Sequence, residues 1–250
     1  MNVKKVAGII AVTLLLTGVV SYAVYSMLTF HSVENNVKCH DLIVTIDKEV
    51  SLMNEDEVHV LLREQELHPI GKSLPDLRTE QIERFLRKHP YVKTVRCYHD
   101  PTGQVFLNLT LRTPLFVVMG NENYYVDKEG KYLPVKPGVT AYVPVLTGRV
   151  TKSMLKDELY DMVSYIGNHE FWNAQIQQIH VREDSKIELV PHVGDALILL
   201  GTTENYELKL DRLLRLYQQA FNVMGWNTYR QLDLRFENQI VATRNKEARK

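Results

Sequence analysis

The stretch VKTVRCYHDPTGQVFLNLTL, residues 92–111, decides how the N-terminal half of the chain folds. Val92 to Tyr98 reads as a strand, and Val105, Leu107, Leu109 and Leu111 then recur at every second position, the period that turns one face of a strand to a core. Between them Asp100-Pro101-Thr102-Gly103 is turn chemistry, since proline presets φ and glycine accepts positive φ. Two strands joined by so short a turn predict an antiparallel hairpin. Upstream, Leu42, Val44 and Ile46 alternate with Ile43, Thr45 and Asp47, a first strand. Asn54 with Glu57 three residues on fits a helix N-cap, and Val58, Leu61 and Leu62 supply an apolar face that His68-Pro69 should end. A second helix opens near Asp76 or Thr79, buries Ile82, Phe85 and Leu86, and stops at His89-Pro90. The order strand, helix, helix, strand, strand predicts a compact α+β unit over 38–112, with its helices on one sheet face.

Arg112-Thr113-Pro114 marks a break, because proline cannot continue a central strand. Beyond it, over 113–244, the pattern predicts a mixed β-domain with helices. Leu115 to Met119, Asn123 to Val126 and Lys131 to Val135 read as short strands around Asn121-Glu122 and Asp127-Lys128-Glu129-Gly130 turns. Helical periodicity runs from Met154 to Ile166. Ile176 to Val181, Lys186 to Val190 and Ala196 to Leu200 form a meander. A helix follows from Tyr206 to Phe221, carrying Leu208, Leu213, Leu214 and Leu216. The last strands, Gln231 to Phe236 and Gln239 to Thr243, are separated only by Glu237-Asn238, which predicts a C-terminal β-hairpin. The basic residues 245–250 form a tail.

Val6 to Leu28 holds no charged residue, and about 23 residues of helix span ~35 Å, enough for a ~30 Å hydrocarbon layer. Lys4 and Lys5 precede it while His31 and Glu34 follow, so residues 1–5 are expected as a cytoplasmic tail and 6–28 as a transmembrane helix. A cleaved signal is the competing reading, with Ser21-Tyr22-Ala23 at the cleavage spacing, but the apolar run before Ser21 already reaches the length limit of such a segment.

The 250 residues carry 30 basic and 30 acidic side chains, so no net field draws the chain to nucleic acid. Cys39 and Cys97 are either a disulfide or two buried small hydrophobes, and a zinc site from Cys39, His40, Cys97 and His99 lacks the ligand-knuckle spacing. Gly71-Lys72-Ser73 is no phosphate loop, because Glu66 stands where the first glycine belongs and no strand feeds it. There is neither a Gly-x-Ser-x-Gly elbow nor a His-Glu-x-x-His pair, and His169 beside Glu170 stands at a helix end, where histidine complements the dipole. Enzymatic function, a cofactor and a small-molecule substrate are therefore not expected.

The local motifs resemble one family, the bacterial cell-division protein FtsQ, also called DivIB. His89-Pro90-Tyr91-Val92 is similar to its Asn-Pro-Trp-Val, and Leu111-Arg112-Thr113-Pro114 to its Glu-Arg-x-Pro, with leucine in place of the acid. Tyr125-Val126-Asp127 with Gly130 resembles Val-Asp-x-x-Gly, Pro144-Val145-Leu146-Thr147-Gly148 resembles Pro-x-Leu-x-Gly, and Leu232-Asp233-Leu234-Arg235-Phe236 resembles Asp-Leu-Arg-Tyr. The resemblance implies a single-pass inner-membrane protein with a periplasmic POTRA domain and β-domain, acting at the septum as a non-enzymatic divisome scaffold. It also implies FtsB-like and FtsL-like partners that add a strand to the last strand of the β-domain. Here that strand is Gln239, Ile240, Val241, Ala242 and Thr243, uncharged until Arg244, with Arg235 and Phe236 gating partner choice from the neighbouring strand. Ile240 and Ala242 are also read as facing the core. The resemblance further suggests the Val92 to Tyr98 edge as a surface for other division proteins. The alternative function is a POTRA-type chaperone or transport accessory, for which tandem POTRA units are usual, and one unit is visible.

Overall fold

The computed structural model describes residues 13–27, 37–48, 50 and 52–245. Two compact units divide the chain, Met1–Asp47 with Met53–Thr110 and Lys48–Leu52 with Leu111–Lys250.

The first unit is built on β1 (Asp41–Asp47), α1 (Glu55–Glu64), α2 (Thr79–Leu86), β2 (Val92–His99) and β3 (Gln104–Leu111). The sheet order is β1-β3-β2, with β1 parallel to β3 from Asp41 against Gln104 to Asp47 against Thr110. A parallel neighbour demands a long crossover, and α1 and α2 fall in the chain between the two strands. Asn54 caps α1, its Oδ1 accepting the Glu57 N–H at 2.9 Å. The helix ends at Glu64, ahead of His68-Pro69, because Glu66 turns into the left-handed region and the amides of Leu67 and His68 both donate to the Leu62 carbonyl. Val58, Leu62, Ile82 and Leu86 from the helices, and Val95, Val105, Leu107 and Leu109 from the sheet, are all buried. The hairpin turn is tied by Asp100, whose Oδ1 accepts the amides of Thr102, Gly103 and Gln104 and the Thr102 hydroxyl. These bonds, the Gln104 amide foremost, hold the Asp100 carboxyl below its ordinary value.

The second unit holds β4 (Pro114–Val118), β5 (Tyr124–Asp127), β6 (Tyr132–Pro134), β7 (Val145–Gly148), α3 (Glu158–Asn168), α4 (Glu170–Gln175), β8 (Ile176–Val181), β9 (Ile187–Pro191), β10 (Leu197–Gly201), α5 (Tyr206–Leu216), β11 (Tyr229–Asp233) and β12 (Val241–Arg244). They form one mixed sheet in the order β12-β11-β10-β9-β8-β7-β4-β5-β6. The pairs β4–β7, β7–β8 and β10–β11 are parallel. Helices fill the β7-to-β8 and β10-to-β11 crossovers, and they carry Leu159, Met162, Ile166, Trp172, Leu210 and Leu213 into the core. Pro114 opens β4, a position where no ladder donor is lost.

Several expectations change. No helix among the described residues is long and apolar enough to cross a membrane, so the predicted transmembrane helix is overturned. Residues 13–27 are helical. Residues 6–12 and 28, the tail 1–5 and residues 246–250 lie outside the described residues. β7 and α4 were not expected as elements, since four residues after a proline show too little alternation and α4 is a six-residue helix. Leu208 is 63% exposed, and it is Leu210, Leu213, Tyr217 and Phe221 that face inward, the last two on a π-turn over Tyr217–Phe221.

Three of the quoted motifs acquire physical reasons. Asp127 is buried, its Oδ1 accepts the amides of Glu129 and Lys131, and Gly130 adopts φ 74°, so Val-Asp-x-x-Gly is a capped turn. Arg112 of the preceding motif donates to Asp127 at 2.8 Å and to Glu129 at 2.9 Å, tying the two motifs together. Gly148 has φ 88°, and a Cβ there would overlap the Val181 carbonyl oxygen on β8.

Candidate partner-binding edge

The C-terminal end of the large sheet begins with β11, whose Leu232 is fully buried and whose Asp233 is 4% exposed. β11 runs parallel to β10, with Leu197 against Gln231 and Leu199 against Asp233. Leu234 still donates its amide to the Leu199 carbonyl, and there the strand path ends. At Arg235 the amide donates to Asp233 Oδ1 at 3.1 Å, which folds the chain out of the ladder. The guanidinium then closes a fork on the same carboxylate, Nε to Oδ1 at 2.8 Å and Nη2 to Oδ2 at 2.5 Å. The Arg235 hydrogen bonds hold the Asp233 carboxyl below its ordinary range despite burial, and Asp233 in turn raises the Arg235 value. Gly201 makes room for this arginine, since a Cβ there would meet Arg235 Cγ at 2.8 Å.

Residues 234–240 therefore form a loop, longer than the expected Glu237-Asn238 link, with Asn238 at φ 58° and Arg212 of α5 donating to the Phe236 carbonyl at 3.1 Å. Between this loop and α5 lies a groove of about 350 Å³ lined by Leu208, Arg212, Arg235 and Phe236. Of the predicted site residues, Arg235, Phe236, Gln239 and Ile240 are in the loop, and Val241, Ala242 and Thr243 are in β12, which runs on to Arg244. Ile240 packs partly against the core, whereas Ala242, expected to face it, is exposed.

β12 pairs antiparallel with β11, Asp233 against Val241 and Gln231 against Thr243, and is the last strand of its sheet. An end strand carries backbone groups that point away from its one neighbour. Val241 and Ala242 are both exposed, so neither face of its first half is committed to packing. The opposite end of the sheet differs, because β6 is three residues long and ends in Pro134, a residue with no N–H to offer. Sequence reasoning missed Asp233 and Arg212 as positioning residues. The Asp233-x-Arg235 spacing carried the first signal, whereas Arg212 is legible only once α5 lies beside the loop.

The other side-chain candidates have structural occupations. His169 closes α3 and opens α4, accepting the Trp172 amide at Nδ1, so it caps a helix rather than forming an acid/base pair with Glu170. Cys39 and Cys97 are buried free thiols. Burial, then the Glu83 charge, pushes the Cys97 thiol up to about 12, too high for thiolate chemistry near neutral pH. Among the described residues no three His, Cys, Asp or Glu side chains gather as metal ligands.

An α+β unit with one parallel pair, followed by a mixed sheet that ends in an unpacked edge strand, defines a two-domain class: a POTRA-like domain matches residues 37–110. The family profile described as "FtsQ/DivIB, C-terminal related" matches residues 113–243. The chain belongs to the FtsQ/DivIB family. It is 29% identical over 184 residues to the cell division protein FtsQ of Rhodothermus marinus, covering 68% of this chain and 67% of that one. It is 25% identical over 160 residues to the cell division protein FtsQ of Myxococcus fulvus, covering 60% of this chain and 55% of that one.

Proposed function

We propose that this chain is a non-enzymatic scaffold of the bacterial division machinery, and that it captures an extended segment of small FtsB-like and FtsL-like partners as an added strand on β12. Membership of the FtsQ/DivIB family supports a role at the division site. The observation that carries the mode of capture is the position of β12 at the sheet end, with Val241 and Ala242 exposed and no charge before Arg244. Strand addition draws its affinity from main-chain bonds and its selectivity from neighbouring side chains. Arg235, fixed by Asp233, and Phe236, 47% exposed on the adjoining loop, are the side chains that read the guest. The buried carboxylates Asp233 and Asp127 are each held by an arginine, which suits a structural role.

Backbone amides of consecutive strand residues point to opposite sides, so of Val241 and Ala242 one donates towards β11 and the other away from it. Proline at each position in turn separates the two. In a pull-down with FtsB-like and FtsL-like partners, the variant whose fold is intact by near-UV circular dichroism should lose the partners at least tenfold. Retention of the partners at the wild-type level by both V241P and A242P would end the strand-addition reading.

A further inference from the structure

The first unit also has an end strand, β2, and it is treated differently from β12. The hairpin bond from the Asp100 amide to the Gln104 carbonyl sets the parity of the β2–β3 ladder: amides at 98 and 96 point to β3, and those at 95, 97 and 99 point outward. The stacking of Tyr98 on Phe106, ring centroids 5.2 Å apart, agrees with that register. The outward amide of Cys97 is taken: it donates to Glu83 Oε1 on α2 at 2.8 Å. The second carboxylate oxygen of Glu83 pairs with Arg87 one turn further along α2 at 3.2 Å, which aims the side chain at the strand. Glu83 thus fills the bonding position at the middle of the edge with a side chain instead of a strand.

We propose that Glu83 guards β2 against pairing with a second copy of the same strand. The register available to such a pair is one that sets Cys97 opposite Cys97, because the outward amides and carbonyls then bond reciprocally and Arg96 of each copy lies opposite Tyr98 of the other. Arg96 and Tyr98 are both exposed on β2, and a guanidinium over a tyrosine ring is attractive. A register one step away, with Arg96 opposite Arg96, is repulsive. The guarded edge therefore has a complementary partner in its own copy, and the central bond of that pair is the one Glu83 occupies. With β2 closed at this position, a guest strand is taken at β12 rather than at β2. This last point alone rests on the proposed function, and the guard itself does not.

The test uses the full-length chain and four variants. E83A removes the carboxylate, E83D keeps the charge but shortens its reach by one methylene, E83Q keeps an acceptor oxygen at the original length, and E83A/Y98K sets a lysine opposite Arg96. Amide hydrogen exchange at Cys97 and sedimentation velocity over a concentration series are the readouts. Exchange at Cys97 should be slowed about tenfold or more in wild type and E83Q relative to E83D. Wild type and E83Q should sediment as monomer, E83A and E83D should associate with rising concentration, and E83A/Y98K should return to monomer. Monomeric E83D with intact circular dichroism, association unaffected by Y98K, or equal exchange in wild type and E83D would each overturn the proposal. Repeating the E83D series with A242P separates the edges: association should persist there whatever becomes of partner binding at β12.

Discussion

At the scale of single residues, the chain's buried charges explain more than its reactive-looking groups do. Asp233 is buried and Arg235 half exposed, so R235A leaves a carboxylate with its fork removed and should cost about 1–2 kcal/mol at pH 7, the solvent having discounted a fully buried pair. The sign with pH follows from the depressed Asp233 value: its contribution is present above the unfolded carboxylate pKa and is lost as pH falls through the lower folded value. Urea midpoints of wild type and R235A should therefore differ at pH 7 and converge in acid. His68 works the other way in charge but the same way in pH. Its Nε2 lies 3.1 Å from His59 Nδ1, a contact that needs one nitrogen unprotonated. Burial first, then the Arg63, His59 and Lys72 charges, lower its pKa from 6.5. The unfolded chain then takes up the proton first, so stability should decline as pH drops below about 6.5, and amide exchange in α1 should show the decline flattened in H68Q. The histidine pair was not visible beforehand, since nine residues separate the two rings, and the Asp233-x-Arg235 spacing gave a signal for the other pair while the burial of its carboxylate shows only in the folded sheet.

At the scale of elements, sequence period and turn chemistry located most strands and helices but missed the short β7 and α4, predicted a membrane helix that the structure overturns, and overran β11, where a single side chain redirects the backbone. Asp100 and Asn54 act within four residues of themselves, so the β2–β3 turn and the start of α1 were readable. Asp233 also acts locally, yet the alternation of Leu232, Leu234 and Phe236 with Asp233 and Arg235 suggested a continuous strand, and the Asx bond to Arg235 that ends it is visible only in the structure. The same turn makes β12 short and leaves its side chains largely unburied. Truncation after Asn238 should accordingly keep the far-UV spectrum of the sheet, lower Tm by less than roughly 10 °C, and abolish partner retention. Loss of cooperative unfolding in that truncation would mean that β12 is part of the core rather than an attached edge.

At the scale of the whole molecule, 30 basic and 30 acidic residues cancel, so no long-range field steers a partner, and strand addition bonds neutral backbone groups. Partner affinity at β12 should change less than about threefold between 0.05 and 0.5 M salt, measured by titration calorimetry; a steep salt dependence would shift the recognition to Arg235, Arg212 and their charged neighbours. The sequence by itself determined the order of most strands and helices, the β2–β3 turn, the family motifs and the run without charge from Gln239 to Thr243, because alternation, caps and turns are interactions among residues a few positions apart. The tertiary structure alone decided that β12 ends the large sheet, that β10 and β11 run parallel, and that Glu83 reaches the Cys97 amide. Which strand neighbours which, and which side chain occupies an outward amide, depend on contacts between residues far apart in the chain, and those form only when distant segments pack together.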